Sequence, residues 1–288
     1  MFFIGAAVVF ICVFGGFVVM GGHIEVLLEG APKEMVIIGG AAVGAYLISN
    51  SKTVISGTGQ AMKDLIKGPP FNKQDYLELL SLLYLIFKLA KSKGMLMLES
   101  HVENPEESSL FKQFPKFLEN HHAVTFLCDY LRIMTMGTEN AHQMEDVMNE
   151  ELETHHHERS QMAGAFMSMG DGLPALGIVA AVLGVIKTMG AIDQPPPVLG
   201  RLIGGALVGT FLGVLLAYGF VGPIGNALTN IYACEAKYYQ CIKAGLVAFM
   251  NGYPPAVALE FARKTILSDV RPSFYDVEKT VSELPTQG

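Results

Sequence analysis

Charge is what this 288-residue sequence has little of: Asp, Glu, Lys and Arg together make 16% of it, against 51% hydrophobic residues, and the formal net charge is -7. So few basic residues exclude a surface built for nucleic acid, and so small an acidic excess excludes a long disordered acidic tail. Cysteine is equally sparse. Cys12, Cys128, Cys234 and Cys241 show no CxxC or zinc-ligand spacing, which excludes a disulfide framework. On one helix Cys234 and Cys241 would lie two turns apart, about 10 Å, beyond disulfide reach, so reduced thiols are expected. A P-loop, a dinucleotide fingerprint and a nucleophile elbow are missing too, and nothing in the sequence points to an enzyme or to a cofactor.

What is there is apolar sequence. The mean hydropathy of +0.38 is too high for a soluble domain of this length and points to membrane insertion. Phe2 to Met20 is an uncharged run long enough to cross a bilayer core, which takes roughly 20 helical residues. It lacks the leading basic residues and small-residue cleavage site of a signal peptide, so it is expected to be retained. Met35 to Asn50, Gly172 to Ile192 and Leu202 to about Leu228 supply three further spans. Lys187, the one charge in the third run, sits near its end, where its stem reaches the headgroups. Between the third and fourth runs, Pro195, Pro196 and Pro197 are expected to form a tight connection outside either helix.

All but three of the twenty Lys and Arg fall in residues 51–171 or after Leu228. The exceptions are Lys33, Lys187 and Arg201, at or beside the two hairpin tips. Cytoplasmic segments keep basic residues, so both termini and the long loop are expected inside, with the tips outside. Within the loop, Tyr76 to Leu89 is apolar almost all round, but its uninterrupted stretch is under half a span and fits a packed cytoplasmic or interfacial helix. Phe126 to Met136 is a second periodic stretch. The tail reads as helix, broken at Asn251 to Pro255 before an amphipathic segment from Ala256 to Ile266. The fold class is therefore an all-α integral membrane protein with four transmembrane helices and a large helical cytoplasmic domain. It divides into spans one and two (1–51), the loop domain (52–170), spans three and four (171–228) and the tail (229–288).

The apolar runs contain no Asp, Glu or His, whereas ion pathways through membranes usually need an ionisable group inside them. If ions pass along this chain, another polypeptide must give the titrating group. Gly40 with Gly44, and Gly205 with Gly209 and Gly213, form small-residue pairs that suit close packing, either within the chain or with other subunits. Pro174 and Pro223 fall at the same end of spans three and four, where they either form a hinge or end the helices. Thr210 either lines a polar path or bonds back to a helix carbonyl, and the back-bond is the expectation from sequence. His155, His156 and His157 point in different directions on a helix and do not suit one metal ion. Lys88, Lys91, Lys93 and Glu99 cluster near the end of the apolar loop helix, as a solvated face or a docking surface.

The segments that carry these features resemble the MotA-type stator subunit of the bacterial flagellar motor. The resemblance runs through Met20-Gly-Gly, Val36-Ile-Ile-Gly, Leu98 to Pro105, Asp129-Tyr-Leu-Arg132 and Glu150 to His155. It is strongest over Leu173 to Val185, Val208 to Phe220, Asn251 to Pro255 and Arg271 to Phe274. It implies a ring of five such chains around a dimer of MotB-type subunits, each giving an intramembrane Asp, in the bacterial inner membrane. Ion flow would then turn the ring against the rotor protein FliG. Pro174 and Pro223 match the family's two functional prolines, Thr210 matches a pore-facing threonine, and Glu99 matches the acidic rotor-contact position. Lys91 falls where some members carry Arg, with Lys88 and Lys93 able to share the role, and Glu151 in the loop motif joins the rotor-interface set. Sodium-driven relatives carry Thr where this chain has Ala181, whose methyl cannot replace a water of hydration, so the implied coupling ion is the proton. The related ExbB and TolQ group is the alternative, energising an outer-membrane process.

Overall fold

The computed structural model describes residues 2–137 and 140–284. Its helices, in chain order, are α1 (Phe2–Val19), α2 (Ile24–Ser49), α3 (Lys52–Lys67), α4 (Lys73–Lys93), α5 (Glu99–Glu103), α6 (Pro115–Leu118), α7 (His121–Thr135), α8 (Ala141–Met189), α9 (Pro196–Met250), α10 (Pro255–Lys264) and α11 (Phe274–Ser282). Helices α1, α2, α8 and α9 are each long and apolar enough to cross a membrane. The chain is an all-helical membrane protein.

It folds as two units. The first takes in the residues up to Gly68 together with Glu158–Ile231; the second takes in Pro69–His157 and the residues from Tyr232 on. Helices α8 and α9 each contribute to both. Helix α3, grouped with the loop by sequence, belongs to the first unit. Its Ser51 cap accepts from the Val54 N–H, and Val54, Ala61 and Leu65 are buried. Arg159 on α8 holds Asp64 at 2.9 Å, and the Tyr46 hydroxyl lies 2.7 Å from that of Thr58.

Helix α2 starts well before the apolar run that marks it in the sequence. It begins at Ile24, with Glu25 in the first turn where a carboxylate suits the helix dipole, and continues through Pro32. Its buried residues are Gly30, Glu34, Ile38 and Ala42, one per turn along a single face. The expectation of spans free of acidic residues is therefore corrected: Glu34 lies inside α2. At the other hairpin, Pro196 and Pro197 open α9 instead of standing outside it, because the first helical turn needs no intrahelical N–H.

The second unit is built around α4. Tyr76, Leu79, Leu80, Leu82, Leu83, Ile86 and Phe87 are all buried, which explains a helix apolar on every side without a membrane. Phe87 stacks on Phe249 at 4.6 Å and Phe71 on Tyr238 at 3.7 Å. An Asn72–Asp75 capping box starts α4, and Gly94, at φ +90°, stops it. Helix α11 is tied to the start of α4 by Lys73 and Asp276, 2.7 Å apart. Buried Arg263 on α10 donates to Glu260 and to the Pro272 carbonyl. All four cysteines are free thiols, and burial pushes Cys128 and Cys241 up to about 12.

Candidate functional site

In the first unit, α8 and the first part of α9 run side by side, joined by glycine. A Cβ on Gly170 would stand 3.1 Å from the Gly222 nitrogen, one on Gly177 2.8 Å from the Gly209 carbonyl oxygen, and one on Gly184 2.6 Å from the Ala206 Cβ. Residue number rises along α8 as it falls along α9, so the two helices are antiparallel with almost no side chain between their backbones. Helix α2 lies along α9, with Ile38 and Ala42 in one apolar cluster with Leu173, Ala180, Val208 and Leu212.

Pro174 and Pro223 both lie within continuous helix, which rejects the reading that they end their helices. Each lacks an N–H, so the carbonyls of Gly170 and Gly219 lose their intrahelical donor. Gly170 belongs to the contact itself, meeting Gly222, next to Pro223. A π-helical turn at Ala217–Val221 runs directly into this point, and the antiparallel order sets it level with Pro174. Proline and π-turns are the usual causes of a soft point in a helix, and both helices have one at the same level. The prolines were legible in the sequence; the π-turn was not, because nothing local distinguishes Ala217–Val221 from ordinary apolar helix.

About two turns further along α8, Ala181 lies at the level of Thr210 on α9. The Ala181 nitrogen lies 3.1 Å from the position of a Cβ on Gly209, the neighbour of Thr210, and both residues are half-buried. The expected back-bond of Thr210 is not made. Among the described residues no hydrogen bond engages its hydroxyl, whereas Thr188 and Thr229 bond back to the Gly184 and Gly225 carbonyls. Gly209 and Gly213 serve packing within the chain. A Cβ on Gly40, Gly44 or Gly205 would meet nothing within 4 Å, so those three stand outside this contact. Beyond them, at the end of the unit that holds the start of α2 and the α8–α9 connection, Glu29, Lys33, Glu34, Lys187 and Arg201 line a cavity of about 100 Å³.

In the second unit Lys88, Lys91, Lys93 and Glu99 are exposed around the end of α4 and the start of α5. Lys88 Nζ stands 5.9 Å over the Tyr84 ring, and Lys91 and Lys93 occupy the last turn of α4, where cations suit the helix dipole. The segment after Glu99 is held firmly. His101 Nδ1 lies 2.8 Å from Ser108 Oγ, and Arg132 bonds Glu103 and Asp129, both at 2.7 Å. Burial lowers the His101 pKa, keeping the ring neutral. Glu151 lies apart from this cluster and accepts a 2.6 Å bond from the Tyr130 hydroxyl, whose pKa is raised by burial and by that bond. The His155 ring rests 4.3 Å from that of His122. Among the described residues no group of three or more His, Cys, Asp or Glu is placed to hold a metal ion.

Families described as Motility protein A N-terminal and MotA/TolQ/ExbB proton channel family match residues 3–94 and 118–240. The chain is 43% identical to motility protein A of Salmonella typhimurium over 96% of its own length and 94% of the relative's. It is 42% identical to motility protein A of Escherichia coli over the same shares, and 35% identical to chemotaxis protein LafT of Vibrio parahaemolyticus over 98% of each. Its fold is shared with the C. jejuni MotAB structure, at a TM-score of 0.77, 20% identity and coverage of 94% of this chain and 98% of that one. The flagellar MotAB stator complex of Bacillus subtilis gives 0.71, at 24% identity and coverage of 90% and 92%. Likeness at this identity over nearly the whole length of both chains makes this protein a member of the motility protein A family.

Proposed function

We propose that this chain is a stator subunit of a bacterial flagellar motor. Copies of it, five by the family pattern, surround the transmembrane helices of a MotB-type partner dimer in the inner membrane. Both termini and residues 52–170 lie on the cytoplasmic side, with the two hairpin tips outside. Protons pass between the ring and an Asp given by the partner, and the ring turns against the rotor protein FliG. The observation that carries the reading is the likeness to motility proteins A along the whole chain. The match to the MotA N-terminal family over residues 3–94 favours it over an ExbB or TolQ role.

The geometry supports the conducting and torque-generating parts. On α8 Ile178, Val179, Val182 and Ile186 are half exposed or more, an apolar face suited to lipid or to neighbouring copies. Ala181 and Thr210 mark the ion's level, with a methyl where a sodium site would need oxygen. Pro174 and Pro223, beside the glycine contact and the π-turn, form the hinge through which proton binding shifts the cytoplasmic segments. Lys88, Lys91, Lys93 and Glu99 form the charged rotor face, and Glu151, in the loop motif and apart from that cluster, is a further rotor-facing residue.

The test is rescue of a strain lacking its own stator subunits. Swimming restored only when the MotB-type partner is co-expressed supports the reading. Swimming restored by this chain alone, or never restored despite normal membrane levels of both proteins, contradicts it.

A further inference from the structure

Glu34 is the one buried carboxylate among the described residues: it is 8% exposed, and its Oε2 has no hydrogen-bond partner. An unpaired carboxyl inside an apolar helix pair is costly, so a group kept there calls for a function. Its placement is specific. Oε2 lies 2.9 Å from where a side chain on Gly209 would begin, so the carboxyl fills the notch left by that glycine, and any larger residue would displace it. On one side of the notch are Ala180 and Ala181, and the residue after Gly209 is Thr210, whose hydroxyl is unengaged. On the other is the cavity of about 100 Å³, which Glu34 itself lines. A single water needs about 10–15 Å³ of such space, so the cavity has room for several.

We propose that the Glu34 carboxyl is a proton-binding site of this chain's own, on the access path between the α8–α9 connection and the Ala181 and Thr210 level. The inference rests on the proton-conducting reading above and adds to it a relay in the chain itself. A hydronium in the cavity gives its proton to Oε2 and becomes water. The new O–H bond then breaks toward the next water or acceptor along the path, restoring the carboxylate, with no other reactant. Glu29 and Lys33 on the same helix, Lys187 on α8 and Arg201 on α9 face this cavity. The three cations keep metal ions away from the path.

The test uses the full chain co-purified with its MotB-type partner and reconstituted in vesicles, with proton uptake driven by a potassium diffusion potential. Wild-type uptake comes first: its absence overturns the conducting reading, and this inference with it. Given wild-type uptake, Glu34→Gln keeps shape and should cut the flux at least about tenfold, in line with the loss of a positioned proton-transfer group. Glu34→Asp should restore part of it and shift its dependence on outer pH. Wild-type flux in Glu34→Gln overturns the inference, and lowered thermal stability beside that flux assigns Glu34 to structure. If Glu34→Gln does not assemble, infrared difference spectra of the wild-type and Glu34→Asp complexes decide. A protonated-carboxyl band that appears on acidification and moves in Glu34→Asp supports the inference; a band identical in both overturns it.

Discussion

Gly177 and Gly213 meet backbone to backbone: a Cβ on Gly213 would come within 2.8 Å of the Gly177 Cα and 2.7 Å of the Leu173 carbonyl oxygen. Nothing at that contact is flexible enough to yield, so Gly213→Ala should separate α8 from α9. The expected loss is about 1–3 kcal/mol, the usual cost of overpacking a close contact. Gly40→Ala and Gly44→Ala, which meet nothing in the chain, should stay within about 0.5 kcal/mol of wild type in the isolated subunit. Thermal unfolding in detergent separates the two classes.

Replacing either proline restores the missing N–H and stiffens a soft point without removing any apolar surface. Pro174→Ala and Pro223→Ala should therefore insert and assemble at normal levels while torque is lost. The check is membrane content by immunoblot together with rotation of tethered cells; normal rotation would remove the hinge.

Reversing charge at the end of α4, Lys91→Glu with Glu99→Lys, touches two exposed side chains outside the core. Swimming should fall while complex yield and unfolding temperature stay unchanged, since rim charges set recognition more than folding. A loss of yield would assign the pair to folding.

His101 supplies the pH dependence. Burial lowers its pKa in the folded state, so the unfolded chain binds a proton more readily. Its contribution is fully present above the unfolded value of about 6.5 and is lost as pH falls through the lower folded value. Unfolding temperature of the purified protein should drop on acidification below about pH 6.5, and His101→Gln should flatten that part of the profile.

The four spans were legible because uninterrupted apolar length is a strong signal and bilayer thickness fixes how much of it is needed. The start of α2 was not. Glu25, Glu29, Lys33 and Glu34, with Pro32 among them, look like a polar linker when counted, yet Glu34 stands in register with Ile38 and Ala42 at four-residue steps. That spacing was the available signal, and it shows that a helix carries one buried acid on an apolar face and its exposed charges on the others. The α4 helix was legible in the opposite sense: its uninterrupted apolar stretch, under half a span, pointed to a packed cytoplasmic or interfacial helix, and the structure buries it in protein. The Pro174 and Pro223 pair could be named from sequence, but the contact between Gly170 and Gly222 depends on two segments meeting in space, which no local pattern encodes. Thr210 misled for the same reason, since a hydroxyl's choice between a helix carbonyl and an open path is made by its surroundings.

The most direct measurement is the rotation speed of cells driven by this chain and its MotB-type partner, while the proton and sodium gradients are collapsed in turn. The account predicts that rotation stops when the proton gradient is lost and continues unchanged when sodium is removed. Rotation that survives loss of the proton gradient and stops without sodium would contradict it.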